Sequence, residues 1–111
     1  MAKVDLLLIS GLTARDGSIV ASGATLKFDS EFVASTTDVR ITPKLYRNRE
    51  LFESGYTHIW MSEQVIPNSF VLSFSEEEFY SLTPLQLYQE VGNWLNNYMG
   101  GTYFELQVID E

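Results

Sequence analysis

Residues 81–101, SLTPLQLYQEVGNWLNNYMGG, spell out a helix together with both of its ends, and the rest of the chain has to supply the surface it packs on. Thr83 is placed to accept from the first free backbone N–H groups, and Pro84 falls at the first helical position, where its missing N–H is not needed. Gln86 completes a Thr-x-x-Gln capping box, and Leu82 and Leu87 have the spacing of a hydrophobic staple. Leu87, Val91, Trp94, Leu95 and Tyr98 recur at helical spacing and form an apolar stripe. Gly100-Gly101 supplies a left-handed stop.

Most of what precedes this helix reads as strand. Val4 to Ser10 is an apolar run that fits a buried strand, and Asp16-Gly17 can supply the positive φ angles of a two-residue type I′ hairpin. Leu26 and Phe28 alternate with Lys27 and Asp29, the period of a half-buried strand. DVRITPKLY repeats the pattern, with Val39, Ile41 and Leu45 on one side and Arg40, Thr42 and Lys44 on the other. Pro43 has no N–H to donate, which predicts that this strand lies at a sheet edge or breaks there. Tyr56, His58 and Trp60 alternate with Thr57, Ile59 and Met61, bulk on both faces that predicts a strand covered on each side, with Trp60 and Trp94 in the core. Phe70, Leu72 and Phe74, then Phe104, Leu106 and Val108, mark two more strands, and Ser75 with Glu78 offers a capping box for a single turn between them. The expected class is α+β: a mainly antiparallel sheet or sandwich of six to seven short strands with one amphipathic helix in the C-terminal half. No repeat, linker or low-complexity tract divides residues 1–111, which read as a single domain.

The catalytic inventory is thin. With no cysteine there is no disulfide framework and no thiolate metal site. His58 is the one histidine, and its strand-like setting reads as packing or hydrogen bonding. There is no Gly-x-Ser-x-Gly elbow, phosphate-binding glycine loop or dinucleotide fingerprint. Glu76-Glu77-Glu78 suits a helix start and lacks the ligand spacing of a calcium loop. We therefore assign no catalytic, cofactor-binding or metal-ligating residues, and an enzyme using His58 with nearby carboxylates ranks last. The run Leu6 to Ile9 is too short to cross a bilayer and lacks the flanks of a secretory signal, so the expectation is a soluble chain in the cytoplasm with no membrane partner.

Charge is unevenly placed. The net charge is −8, yet Arg40, Lys44, Arg47 and Arg49, four of the seven basic residues, fall within ten positions. One reading has them meet local carboxylates such as Glu50 and Glu53; the other has them dock an acidic surface of an identical neighbour. With Tyr46 among them they could also stack and neutralise a single-stranded nucleic acid, but the acidic balance elsewhere argues against a dedicated binder. The face of the helix opposite its stripe holds Gln86, Gln89, Asn93, Asn96 and Asn97 with one charge, Glu90. Such a face costs less to desolvate than a charged one, provided its hydrogen bonds are replaced. Tyr, Trp, Phe and Arg are enriched at interfaces, and the chain has two Trp, six Tyr and seven Phe. The candidate interface residues are Arg40, Lys44, Tyr46, Arg47, Arg49, Gln86, Gln89, Asn93, Asn96 and Asn97.

The stretches IVASGATLKFDSEF, TDVRITPKLYRN and LTPLQLYQEVGNWL resemble small virion proteins of tailed bacteriophages, those of the neck, head–tail connector or tail. The resemblance implies a structural subunit that forms a ring around a central channel with copies of itself and other virion proteins. It would be assembled in the host cytoplasm and carried in the virion. It brings over no catalytic residues and no specific nucleic-acid contact; an acidic chain suits the lining of a channel through which DNA slides without sticking. The alternative is a monomeric adaptor or inhibitor module that binds one other protein through exposed aromatics.

Overall fold

The structure, a computed structural model, describes residues 3–33 and 36–109. In chain order its elements are β1 (Lys3–Leu8), β2 (Leu12–Thr13), β3 (Ile19–Val20), β4 (Thr25–Phe32), β5 (Asp38–Tyr46), α1 (Arg49–Glu53), β6 (Phe70–Ser73), α2 (Glu76–Tyr80), α3 (Pro84–Met99) and β7 (Phe104–Ile109). Five strands make one antiparallel sheet in the order β6-β5-β4-β1-β7, and β2 and β3 form a separate hairpin. β4 and β5 pair along their length, Thr25 opposite Tyr46 through Phe32 opposite Val39. The last strand returns beside the first, with Leu6 opposite Leu106. This is the expected α+β fold.

α3 carries the signals written in its sequence. The Thr83 hydroxyl accepts from Gln86 N–H at 3.2 Å, Gln86 Oε1 accepts from Thr83 N–H at 3.0 Å, and Gly100 ends the helix at φ 75°. Val91 and Leu95 are fully buried among Leu6, Leu8, Leu26, Val39, Ile41, Leu45, Leu72 and Phe104 from the sheet, in one apolar cluster. Trp94 is half-buried and lies flat on Phe70 of β6, centroids 3.9 Å apart. Gly92 allows the close approach of helix to sheet, because a Cβ there would sit 2.9 Å from Leu6 Cδ2.

Three local expectations need correction, and one element had no expectation. The strand holding Pro43 is neither an outer edge nor broken: Pro43 pairs opposite Phe28 inside β5. β6 covers only Asp38 to Ile41 on the far side, and Leu45 O accepts there from Ile59 N–H at 2.7 Å. Backbone groups two residues apart in a strand point the same way. Proline's absent N–H thus faces the open stretch between the end of β6 and Ile59, where no donor is wanted. The hairpin sits at Asp16-Gly17 but closes through a three-residue loop, with Ala14 N–H donating to Ser18 O at 2.7 Å and Gly17 at φ 90°. Residues 56–61 touch β5 and the hairpin only through the bridges Leu45–Ile59 and Ala14–Met61. That segment is covered on one side, so Met61 is buried while Trp60, expected in the core, is 59% exposed. Finally, α1 was not legible as a helix; Asn48 caps it by accepting from Leu51 N–H at 2.9 Å.

No described helix is long and apolar enough to cross a membrane. Replacing Gly92 by Val is expected to destabilise the fold by about 1–3 kcal/mol, because its branches must displace the fully buried Leu6. Urea denaturation reads this as a lower midpoint at unchanged slope.

Candidate functional site

The basic segment Arg40 to Arg49 is divided by the fold. Arg49 turns inward. Asp5 is a fully buried residue of β1, and its side chain points away from the face that carries Leu6 and Leu8. Its two carboxylate oxygens each meet a cation, Lys27 Nζ from β4 at Oδ1 and Arg49 Nη1 from α1 at Oδ2. Lys27 Nζ also reaches Val4 O at 3.4 Å and lies 5.0 Å from the centre of the Phe52 ring and 5.6 Å from that of Tyr88. Arg49 Nε donates to Glu53 Oε1 at 2.8 Å. Among the described residues two anions, Asp5 and Glu53, and two cations, Lys27 and Arg49, thus form one cluster that joins β1, β4 and α1. Sequence reasoning missed Asp5; the signal was an acid inside an apolar run, which needs a cation if the strand is buried.

Arg40 and Lys44 turn to the open face of the sheet and meet the acids of the neighbouring strand. Lys44 Nζ lies 2.7 Å from Asp29 Oδ2, and Arg40 Nη1 lies 3.8 Å from Glu31 Oε1. Tyr46 is half-buried, edge-on to Phe52 at 5.1 Å and to His58 at 6.3 Å. Arg47 is different: it is exposed and forms no ion pair with a described carboxylate, and the same holds for Arg15.

Arg15 and Arg47 line one cleft of about 600 Å³ together with Ala14, Asp16, His58, Ile59 and Trp60. Arg15 N–H donates to Trp60 O at 2.9 Å, which ties the β2–β3 loop to the extended segment. The His58 and Trp60 rings lie 4.6 Å apart, so the exposed indole has a fixed support. The same two rings form a wall of a second cleft, of about 300 Å³, with Pro43, Lys44 and Ile66. Asp16, the acid at the rim, is turned onto its own loop, where its Oδ1 accepts from Ser18 N–H at 2.9 Å and from the Ser18 hydroxyl at 2.6 Å. Those bonds, the hydroxyl's first, lower its pKa, and the positive charge of nearby Arg47 adds to the effect.

Burial holds the His58 pKa below the ordinary 6.5, and the Lys44 charge adds to the effect, against a weaker upward pull from Asp29. The imidazole is therefore neutral at pH 7 and acts as an aromatic surface.

The amide residues of α3 also divide. Asn96 is half-buried and spent within the chain: its Oδ1 accepts from Tyr103 and Phe104 N–H, both at 2.9 Å, and its Nδ2 donates to Phe104 O at 3.0 Å. Gln86 closes the helix cap. Gln89, Asn93 and Asn97 remain exposed, the first two over a shallow depression of about 220 Å³ that also borders Leu6 and Phe104.

An acidic, aromatic surface lies at the other end of β5. The Thr37 hydroxyl donates to Phe74 O at 2.6 Å, so α2 starts beside the first residue of β5, whereas the Arg15–Arg47 cleft lies beyond its last. Eight strand steps separate the two ends, roughly 27 Å. Glu76, Glu77 and Glu78 occupy the first turn of α2 behind a Ser75 capping box, and Tyr80 is 82% exposed. Phe32, 68% exposed, meets Phe79 edge-on at 5.4 Å.

These features define an α+β protein whose exposed aromatics gather at both ends of its central strand pair, one end basic and the other acidic. Among the described residues no group of three or more His, Asp or Glu is placed to hold a metal ion. Comparison with protein-family models, with curated proteins and with solved structures found no match.

The two neighbouring arginines should behave oppositely. Arg49→Ala leaves Asp5 buried with half its compensation and is expected to cost about 3 kcal/mol, while Arg47→Ala stays within about 0.5 kcal/mol, as read by urea denaturation. In a proton NMR titration the His58 ring is expected to titrate below 6.5.

Proposed function

We propose that this chain is a non-enzymatic structural subunit that builds a larger assembly from copies of itself, of the neck, connector or tail kind found in the tailed-phage virion proteins its sequence resembles. The observation that carries the reading is the placement of exposed aromatics. Trp60 and Tyr56 at one end, and Tyr80 and Phe32 at the other, are each more than half exposed. Exposed aromatic side chains with charged neighbours are the chemistry of a face that becomes covered.

Two further features support the reading. β7 and β6 are the outer strands of the five-stranded sheet, the position at which another strand can add, although Asn96 occupies the Phe104 N–H and C=O at the start of β7. The ionic contacts available between copies pair a small basic surface with a larger acidic one, which favours one neighbour orientation over others.

The test is the absolute mass in solution by light scattering after size exclusion, across protein concentration at low and high salt. The expected result is an oligomer that loosens as salt rises. The mass of one chain at every concentration and salt would overturn self-assembly and favour the monomeric adaptor reading.

A further inference from the structure

We propose that the Arg15–Arg47–Trp60 cleft of one copy receives the α2 segment of a second copy, so that chains join head to tail. This inference rests on the self-assembly reading and names its interface.

The cleft has the makings of a receptor for an acidic, aromatic segment. Its floor is apolar, from Ala14 and Ile59, and its wall is the exposed Trp60 ring backed by neutral His58. Two guanidinium groups stand at its rim without an ion-pair partner among the described carboxylates, in a chain with a net charge of −8. Lys27, Arg40, Lys44 and Arg49 are each engaged within the chain. Asp16 offsets part of the rim's charge, but the hydrogen bonds to Ser18 hold its carboxylate against its own loop. A guanidinium fork donates two hydrogen bonds to a carboxylate, and an indole takes another aromatic ring or a cation on its face.

The occupant is drawn from the same molecule's surface. α2 presents Glu76 and Glu77 without a described cation beside them, and one turn later Tyr80, the most exposed of the large apolar side chains. Asp38 adds a further negative charge at that end, lining with Glu76 and Tyr80 a common depression. Carboxylates and a ring carried on one short helix match guanidinium groups and a ring in one cleft. The two surfaces lie at opposite ends of β5, roughly 27 Å apart along a paired strand, so they cannot meet within one chain. Contact between two different surfaces is heterologous, and repeating it yields a ring when the rotation closes.

The experiment uses the whole chain in two charge-reversed forms. One carries Arg15→Glu and Arg47→Glu, and the other carries Glu76→Lys and Glu77→Lys. Glu78 is left alone because it closes the α2 capping box. All four positions are exposed, and circular dichroism confirms that each variant is folded. Light scattering is expected to give the mass of one chain for either variant alone, and wild-type mass for the equimolar mixture. In the mixture each reversed cleft faces a reversed helix, and each unreversed cleft faces an unreversed one. Tyr80→Ser, which changes no charge, is expected to weaken association about tenfold or more. A reversed variant that assembles like wild type, or a mixture that stays monomeric, overturns this interface and leaves self-assembly through another surface standing. Wild-type protein that never associates removes both.

Discussion

The fully buried carboxylate of Asp5 is the constraint on which the arrangement of the remaining parts depends. A lone carboxylate in an apolar interior costs more than the fold can supply, so both of its oxygens must meet cations. Lys27 and Arg49 come from a strand and a helix far apart in sequence, and meeting at Asp5 fixes α1 against the sheet. The β1–β4 ladder has its last register pair at Leu6–Leu26, and beyond it the Lys27 ammonium bonds the Val4 carbonyl. Phe52, carried on α1, stands over the same ammonium and edge-on to Tyr46, so the ionic cluster and the aromatic row on that side are one construction.

That row determines what the surface can do. Phe52, Tyr46, His58 and Trp60 follow one another at ring spacings of 5.1, 6.3 and 4.6 Å, and only the last is largely exposed. An exposed indole held by a chain of supported rings loses little side-chain freedom when something covers it. At the opposite end Phe32 and Tyr80 flank Phe79, again two exposed rings on one anchored ring. The open face of the sheet between them carries cross-strand ion pairs, Lys44 with Asp29 and Arg40 with Glu31, and such exposed pairs contribute little to stability. Their consequence is for recognition: they remove two of the basic residues from competition for an outside partner.

Much of this fold was legible along the chain, because local signals are enough where backbone groups and side-chain period decide. The caps and stripe of α3, the Ser75 box of α2 and the alternating strands β4, β5, β6 and β7 all follow from rules that act within a few residues. Trp60 was misread because alternation of bulky residues shows that two faces differ, not that both are covered. Pro43 was misread because its missing donor matters only toward one neighbour, and β6 stops short of it. α1, five residues long, had no periodicity to betray it.

The candidate interface shows the same division. The sequence by itself determined the α+β class, the helix with both ends, the cluster of basic residues and the abundance of aromatics for one small core. Tertiary structure alone decided that Arg49 is bound to Asp5 while its near neighbour Arg47 is exposed at the rim of a cleft, that Asn96 ties α3 to β7 while Asn93 faces water, and that Arg15 joins Arg47 across 32 residues of chain. The reason is physical. Local structure is set by hydrogen bonds and sterics between near neighbours, but a charge or an amide becomes a strut or a binding group only through which distant group the folded chain brings against it.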